Sequence, residues 1–394
     1  MVKGTYDELR GLKIPKNPQR QGAIVQKKLA LLDRLKEGLK QVVKFDDAYQ
    51  VVAALTLQGQ GLQHMSAALY NAPAPSGLNA EQLNVYKTEV EKLAKPLLDQ
   101  ALESYKAAIS RGIELGGYND WLLLAMKELN RVDANQYRDF NFKIFLLEQM
   151  DDSRLGKSIS GSSAETSSVD EMRKAWRKGK KSEILDSISN VLDQDSNHLE
   201  ALNLLGIYYY KQRSPGLARL VFERAQSAHP KTPALHNNLG ILELSEGDQR
   251  QAILQLKSAI ALKSSYEVAV SNLSSIYLKY RDYKRALGPL EDSYRETKRD
   301  LSQGDEGAVR IASNYAAALT GSGDPKRAKS VYENVLDGKS RDIDVMMNYA
   351  ILLVRVLKEK KEAVRVLSKI KFVSDNSQVL GKVKDLEQEL EQLD

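Results

Sequence analysis

The chain has 394 residues, 58 basic against 52 acidic side chains, a net charge of +6, 42% hydrophobic residues and no cysteine. Such a composition belongs to a folded polypeptide. It excludes disulfides, cysteine-based zinc sites and thiol nucleophiles, and no apolar run reaches the roughly eighteen residues a transmembrane helix needs. The charges are dispersed, as on a solvated surface, which points away from nucleic acid as a partner.

Residues 1–20 are expected to be extended or disordered; Met1-Val2-Lys3-Gly4-Thr5 lacks the apolar core of a secretory signal. That leaves a cytoplasmic protein, or an exported one whose signal lies outside this sequence. From residue 21 to Tyr70, Leu29, Leu32, Leu35, Leu39, Val42 and Val43 share one apolar face, predicting one or two long helices. Asn71 to Gly77, with Pro73 and Pro75, breaks them. A second long helix follows through Leu83, Tyr86, Val90, Leu93, Leu97, Leu98, Ala101, Leu102, Tyr105, Ala108 and Ile109, with Pro96 expected to kink it or mark a new start. Gly116-Gly117 ends it, and Trp121 to Leu129 opens another. Residues 21–155 thus read as a domain of long, degenerate helix pairs, and the Ser/Gly-rich run 156–168 as a linker. The doublets Asp46-Asp47 and Asp151-Asp152 fit helix N-termini, where carboxylates meet the favourable end of the dipole.

After the linker the chain repeats. Leu205-Gly206, Leu239-Gly240 and Leu273-Ser274 follow one another at a constant interval. Tyr315-Ala316 comes after an insertion around residues 301–308, and Tyr349-Ala350 resumes the original interval. Ala218, Ala252, Ala286 and Ala328 fill one slot of the second helix in each unit, with Ala363 shifted by one; Phe222, Leu256, Leu290 and Tyr332 fill another. An interval of about 34 residues with these slots is the tetratricopeptide (TPR) pattern, in which small residues let two helices approach and larger ones fill the space between units. Gly179, Gly247 and Gly323 recur at the turn, Asp248 and Asp324 suit N-caps, and Pro215 and Pro325 take the first helical position. The expected fold is all-α: a TPR-type α-α superhelix of five to six units over 169–373, a weak leading unit at Val169 to Asn197, and a capping helix within 374–394 carrying Val383, Leu386, Leu390 and Leu393.

Catalytic and metal signatures are missing. Gly156-Lys157-Ser158 resembles the end of a phosphate-binding loop, but Asp151 stands where its first glycine belongs. His64, His198, His229 and His236 form no metal-binding spacing. The expectation is therefore no catalysis, no cofactor and no metal.

One stretch of the N-terminal half resembles a known family. The run Ala67-Ala68-Leu69-Tyr70-Asn71-Ala72-Pro73-Ala74-Pro75-Ser76-Gly77-Leu78-Asn79-Ala80-Glu81, then Tyr86, Pro96-Leu97 through Ala108, and Tyr118-Asn119-Asp120-Trp121, is similar to the TPR-containing outer-membrane lipoproteins of bacterial adventurous gliding motility complexes. The likeness covers roughly residues 45–132. It implies an interaction scaffold in the periplasm, associated with the outer membrane and bound to envelope components. Such lipoproteins carry a signal and a lipid-accepting cysteine. The resemblance implies that both were removed from this chain, and membrane association would run through that anchor. Without it, a cytoplasmic TPR adaptor or co-chaperone, or an RNA-associated helical-repeat protein, remain the alternatives.

In a TPR array the first helix of each unit lines the concave face. Asn238, Asn272, Asn314 and Asn348 occupy one slot of that helix in four successive units. A carboxamide both donates and accepts, so this ladder predicts binding of an extended peptide by its backbone. Tyr210, Ile241, Leu244, Ser275, Leu278, Met347, Ile351 and Val354 would supply pockets around it, and Lys211, Lys279, Arg310 and Arg355 a positive tinge suited to an acidic segment or a C-terminal carboxylate. A second patch, Arg173, Lys174, Arg177, Lys178, Lys180 and Lys181, reads either as a solvated helix end or as a contact for anionic head groups or nucleic acid.

Overall fold

The computed structural model describes residues 2–44, 47–75, 77–133, 140–145, 150–152, 167–338 and 340–392. Among these residues every regular element is helical. They divide into two compact units, Met1–Asp139 and Phe140–Asp394. Contacts thus change hands near residue 139, ahead of the Ser/Gly-rich run 156–168. Most of that run, with Gly156-Lys157-Ser158, lies outside the described residues, as do Asp46 and Leu393.

The first unit contains helices α1 (Val2–Gly11), α2 (Pro18–Val43), α3 (Ala48–Tyr70), α4 (Ala80–Leu115) and α5 (Asp120–Val132). The expectation of an extended N-terminus is corrected: residues 2–11 are helical, because Leu9 is fully buried and meets Leu32 and Leu35 over Gly61. Asp47 caps α3 by accepting from the Gln50 N–H at 2.9 Å. Asn79 and Gln82 form a capping box on α4. That helix passes through Pro96 without restarting. Gly59 of α3 faces the Tyr105 ring of α4; a Cβ there would fall 2.6 Å from a ring carbon.

A polar pair is sealed inside this unit. Lys28, fully buried, donates to the Leu9 carbonyl at 2.6 Å, and its Nζ lies 3.1 Å from His64 Nε2. Burial holds the Lys28 ammonium below the usual lysine range. Burial, followed by the charges of Lys28 and Arg10, holds the His64 imidazole below its ordinary value.

The second unit begins with the segment 140–152, described below, and continues as stacked helix pairs. The leading pair is α6 (Ser167–Lys178) and α7 (Lys181–Gln194). Then come α8 (Leu199–Lys211) with α9 (Pro215–Ala228), α10 (Pro233–Glu246) with α11 (Gln249–Leu262), and α12 (Glu267–Lys279) with α13 (Tyr283–Glu296). The inserted residues form the short α14 (Lys298–Gln303), ahead of α15 (Glu306–Gly321) and α16 (Pro325–Asp337). The last pair is α17 (Ile343–Ile351) with α18 (Lys360–Val373), closed by α19 (Ser377–Glu391). This is an all-α array of TPR-type pairs. Its one-residue irregularity has a local cause: α17 runs on into a π-helical turn, Leu352–Leu357, which absorbs the residue that shifts Ala363.

Close approach within pairs follows the small-residue slots. A Cβ on Gly206 of α8 would lie 2.5 Å from the Phe222 ring of α9, and one on Gly240 2.9 Å from Leu256. Ala218, Phe222, Ala225, Leu256 and Ala259 are all fully buried. The turns use glycine where the backbone is left-handed, as at Gly247 (φ 85°), and Asp248 then caps α11 by accepting from Gln251 N–H at 3.0 Å. Val383, Leu386 and Leu390 of α19 are buried at the end of the array.

Two stability effects follow. Gly206→Val should lower the stability of the second unit by about 1–3 kcal/mol, because the Phe222 ring has no room to give. Gly381→Ala, within α19 where a Cβ meets nothing within 4 Å, should raise it by about 0.5–1 kcal/mol. Urea unfolding followed by Trp176 fluorescence in a Trp121→Phe background measures both, and the reverse ordering would refute the packing role of Gly206.

In the first unit, the His64 contribution to stability should be complete above the ordinary imidazole pKa and fall as the pH drops from there toward the lowered folded value of His64, since only the unfolded chain takes up the proton in that window. Unfolding midpoints between about pH 7 and 5, read by Trp121 fluorescence, should decline in the native chain and decline less in His64→Gln.

Candidate peptide-binding groove

The first helices of successive pairs, α8, α10, α12, α15 and α17, present the fifth and sixth positions of the repeat unit (residues 203–204, 237–238, 271–272, 313–314 and 347–348) to one inner face. Asn238, Asn272, Asn314 and Asn348 are all buried there. Carboxamides so placed must find partners or leave buried polar groups bare, at about 1–3 kcal/mol each. Most of the partners are backbone groups of this chain's own residues 143, 145 and 151.

Lys143 N–H donates to Asn348 Oδ1 at 2.7 Å, and Asn348 Nδ2 donates back to the Lys143 carbonyl at 2.8 Å. Phe145 makes the same pair with Asn314, at 2.9 and 3.1 Å. Asp151 makes it with Asn238, at 2.7 and 3.2 Å, and its carbonyl also accepts from Asn203 Nδ2 at 2.9 Å. In extended chain the N–H and C=O of one residue point the same way, and alternate residues point oppositely. A carboxamide therefore stands in for a neighbouring strand, taking residues 143 and 145 and skipping 144. The segment runs against the order of the pairs, from α17 toward α8.

Side chains fix its ends. Arg355, paired with Glu389 at 2.6 Å, donates to the Phe140 carbonyl at 3.0 Å. The rings of Phe140 and Phe142 lie 5.6 Å apart, and Phe145 is buried. At the far end Met150 packs against the cluster of Leu202, Ile207, Leu235, Leu239 and Leu242. Tyr266 donates its hydroxyl to the Asp151 carboxylate, and Trp176 Nε1 donates to Asp152 at 2.9 Å. The doublet Asp151-Asp152 thus lies in a non-helical segment rather than at a helix N-terminus; side-chain donors on the array, not a helix dipole, bond its carboxylates.

Of the residues singled out in the sequence, Asn238, Asn314 and Asn348 meet the segment. Asn272 does not: its Nδ2 donates to Asn237 Oδ1 at 2.9 Å, and its Oδ1 is buried without a hydrogen-bond partner among the described residues. Ile241, Ser275, Leu278, Met347, Ile351 and Val354 are buried, while Tyr210 and Leu244 are half-buried. The expected positive tinge is weaker than the sequence implied. Arg310 is ion-paired with Glu306 and Arg355 with Glu389, leaving Lys279 exposed and Lys211 lying 4.7 Å over the Trp176 ring.

Sequence reasoning missed the fifth position. Asn203, Asn237 and Ser313 there link neighbouring pairs, accepting from Asn238, Asn272 and Asn348 at 2.8, 2.9 and 3.2 Å. The signal was present as polar residues preceding the ladder, each bonded one unit onward.

The basic patch is partly neutralised. Arg173 makes a bidentate pair with Glu200, at 2.9 and 2.8 Å, Lys180 pairs with Glu183 at 3.0 Å, and Lys181 donates to Gln212 at 3.1 Å. Lys174, Arg177 and Lys178 are exposed. Arg173, Arg177, Lys181 and Lys211 border a cavity of about 760 Å³ beside Asp152 and Trp176. The histidines serve structure: His198 caps α8, His229 bonds the Asn197 carbonyl at 2.6 Å, and His236 contacts Gln226 and Gln255. Burial pushes the Tyr277 hydroxyl up to about 12. Among the described residues no cluster of metal-ligating side chains occurs, and no helix is long and apolar enough to cross a membrane.

No protein-family model and no curated protein matches the sequence. Among solved structures the chain is similar to PilF of Pseudomonas aeruginosa, at 16% identity over 56% of this chain and 96% of that one, with a TM-score of 0.46. It is similar to PilW, a widely conserved type IV pilus biogenesis factor, at 16% identity over 56% and 99%, with a TM-score of 0.45. It is also similar to YrrB, a TPR protein with an unusual peptide-binding site, at 12% identity over 50% and 97%, with a TM-score of 0.41.

Proposed function

We propose that the chain is a non-catalytic protein-interaction scaffold whose inner TPR face takes an extended polypeptide by its backbone. One observation carries this reading: Asn238, Asn314 and Asn348 each both donate to and accept from a single residue of an extended segment. Contacts of this kind recognise main chain, and so bind many sequences in one conformation. Side-chain selection falls to Tyr266, Trp176 and the apolar floor.

The setting we propose is a bacterial envelope complex of the gliding-motility type, with the chain in the periplasm at the outer membrane, held there by a lipid anchor outside this sequence. What supports it is the likeness of residues 45–132 described above. Fractionation of cells expressing the complete gene should place the protein with the outer membrane; recovery in the cytoplasm would refute that setting and leave the scaffold reading intact.

The groove is tested with the segment removed. In a chain with residues 140–152 replaced by a Gly/Ser run of equal length carrying proline at 143, 145 and 151, which offers the asparagines no N–H, a labelled peptide of the native 140–152 sequence should bind saturably in the micromolar range. Asn314→Ala with Asn348→Ala should weaken it by about tenfold or more, since four charge-neutral hydrogen bonds are lost. Absence of binding by a variant that still unfolds cooperatively would refute the groove.

A further inference from the structure

The described residues of the chain's own segment serve Asn348, Asn314 and Asn238 and leave the Asn272 carboxamide oxygen unserved. Lys143 sits on Asn348 and Phe145 on Asn314, so neighbouring pairs take residues two apart. Continued at that step, residue 147 would face Asn272 and residue 149 would face Asn238. Asn238 instead holds Asp151. Six residues thus separate the Asn314 and Asn238 contacts, where two regular steps need four. The inserted helix α14 does not stretch this interval by parting the lining helices, for α12 and α15 pack directly together.

The cost of the misfit is visible at the skipped level. Asn272 Oδ1 and Ser271 Oγ, neighbours on α12, are both buried and both lack a hydrogen-bond partner among the described residues. Asn272 Nδ2 is already committed to Asn237, so what the site lacks is a donor, and an extended chain in register would bring one as a backbone N–H. An acceptor buried bare costs about 1–3 kcal/mol, so an occupant that satisfies it has an advantage over the resident segment.

We infer that residues 140–152 are a displaceable stand-in, and that the groove's preferred occupant is an extended segment of another protein that keeps the two-residue step across all four asparagines. This rests on the groove reading above. The chemistry of the two ends defines the partner further. Its N-terminal side carries aromatic residues, as Phe140, Phe142 and Phe145 do. Its C-terminal side is acidic, matching the Tyr266 and Trp176 donors and the cavity bordered by Arg173, Arg177, Lys181 and Lys211. A second copy of this chain would bring the same six-residue interval and is disfavoured on the same ground.

Two peptides separate these claims: the native 140–152 sequence, and the same sequence lacking Leu147 and Glu148, which restores the regular step. The shortened peptide should bind the Gly/Ser-replaced chain about tenfold more tightly, as expected for one buried acceptor satisfied. Asn272→Ala should abolish that difference while leaving the native peptide's affinity within about twofold. In the intact chain, saturating shortened peptide should speed hydrogen exchange at the Lys143 and Phe145 amides. Equal affinities of the two peptides would overturn the register claim yet leave the groove standing. Unchanged exchange at both amides would overturn displacement. If neither peptide bound, the groove itself would fall. Should the replaced chain not fold, the exchange measurement in the intact chain decides the matter.

Discussion

Helices packed on a glycine or alanine come closer than helices packed on larger residues, and everything else in the second unit depends on that spacing. Gly206 under the Phe222 ring and Gly240 under Leu256 hold each pair at one separation. Because the same contact recurs at the fixed interval of the repeat, successive pairs add with a constant rotation, and one face of every first helix turns inward. The first unit uses the same device on longer helices, with Gly59 of α3 beneath Tyr105 of α4.

That inward face carries amides rather than aliphatic groups, which sets a second constraint. Buried carboxamides stabilise nothing until both their donor and their acceptor are met. Part of the demand is met along the array, where the fifth position of one pair accepts from the sixth of the next. The remainder points into the groove and can be met only by water or by a polypeptide with its N–H and C=O groups free. An extended segment satisfies both atoms of an asparagine with one residue, which is why residues 143, 145 and 151 lie where they do.

The groove is polar at its floor and selective at its ends. Arg355 is held by Glu389 of the capping helix while it donates to Phe140, so the last helix positions a contact to the occupant as well as closing the core. At the opposite mouth Trp176 combines three roles: it packs against the array, donates to Asp152, and lies under the Lys211 ammonium. Residues that read in sequence as a basic patch are there divided between ion pairs that fasten helices together and cations that border an open cavity.

The sequence by itself determined the repeat, because small and large apolar positions recurring at one fixed interval have one stacking solution, and it marked the four asparagines by their common slot. It also marked Gly179, Gly247 and Gly323 as turns, since a left-handed backbone favours glycine. Only the tertiary structure decided what the asparagines hold. The run 140–152 has no helical period and no repeat of its own, and the placement of residues 140–145 and 150–152 depends on hydrogen bonds to side chains as many as 215 positions away. Their acidic doublet looked like a helix start because local sequence cannot distinguish a carboxylate facing a helix dipole from one facing Tyr266 and Trp176. The N-terminal helix was hidden for a related reason: Leu9 is buried by Leu32 and Leu35, contacts that no local period announces. Which asparagine goes unserved is likewise a matter of register between two distant parts of one chain, and register appears only once both are folded.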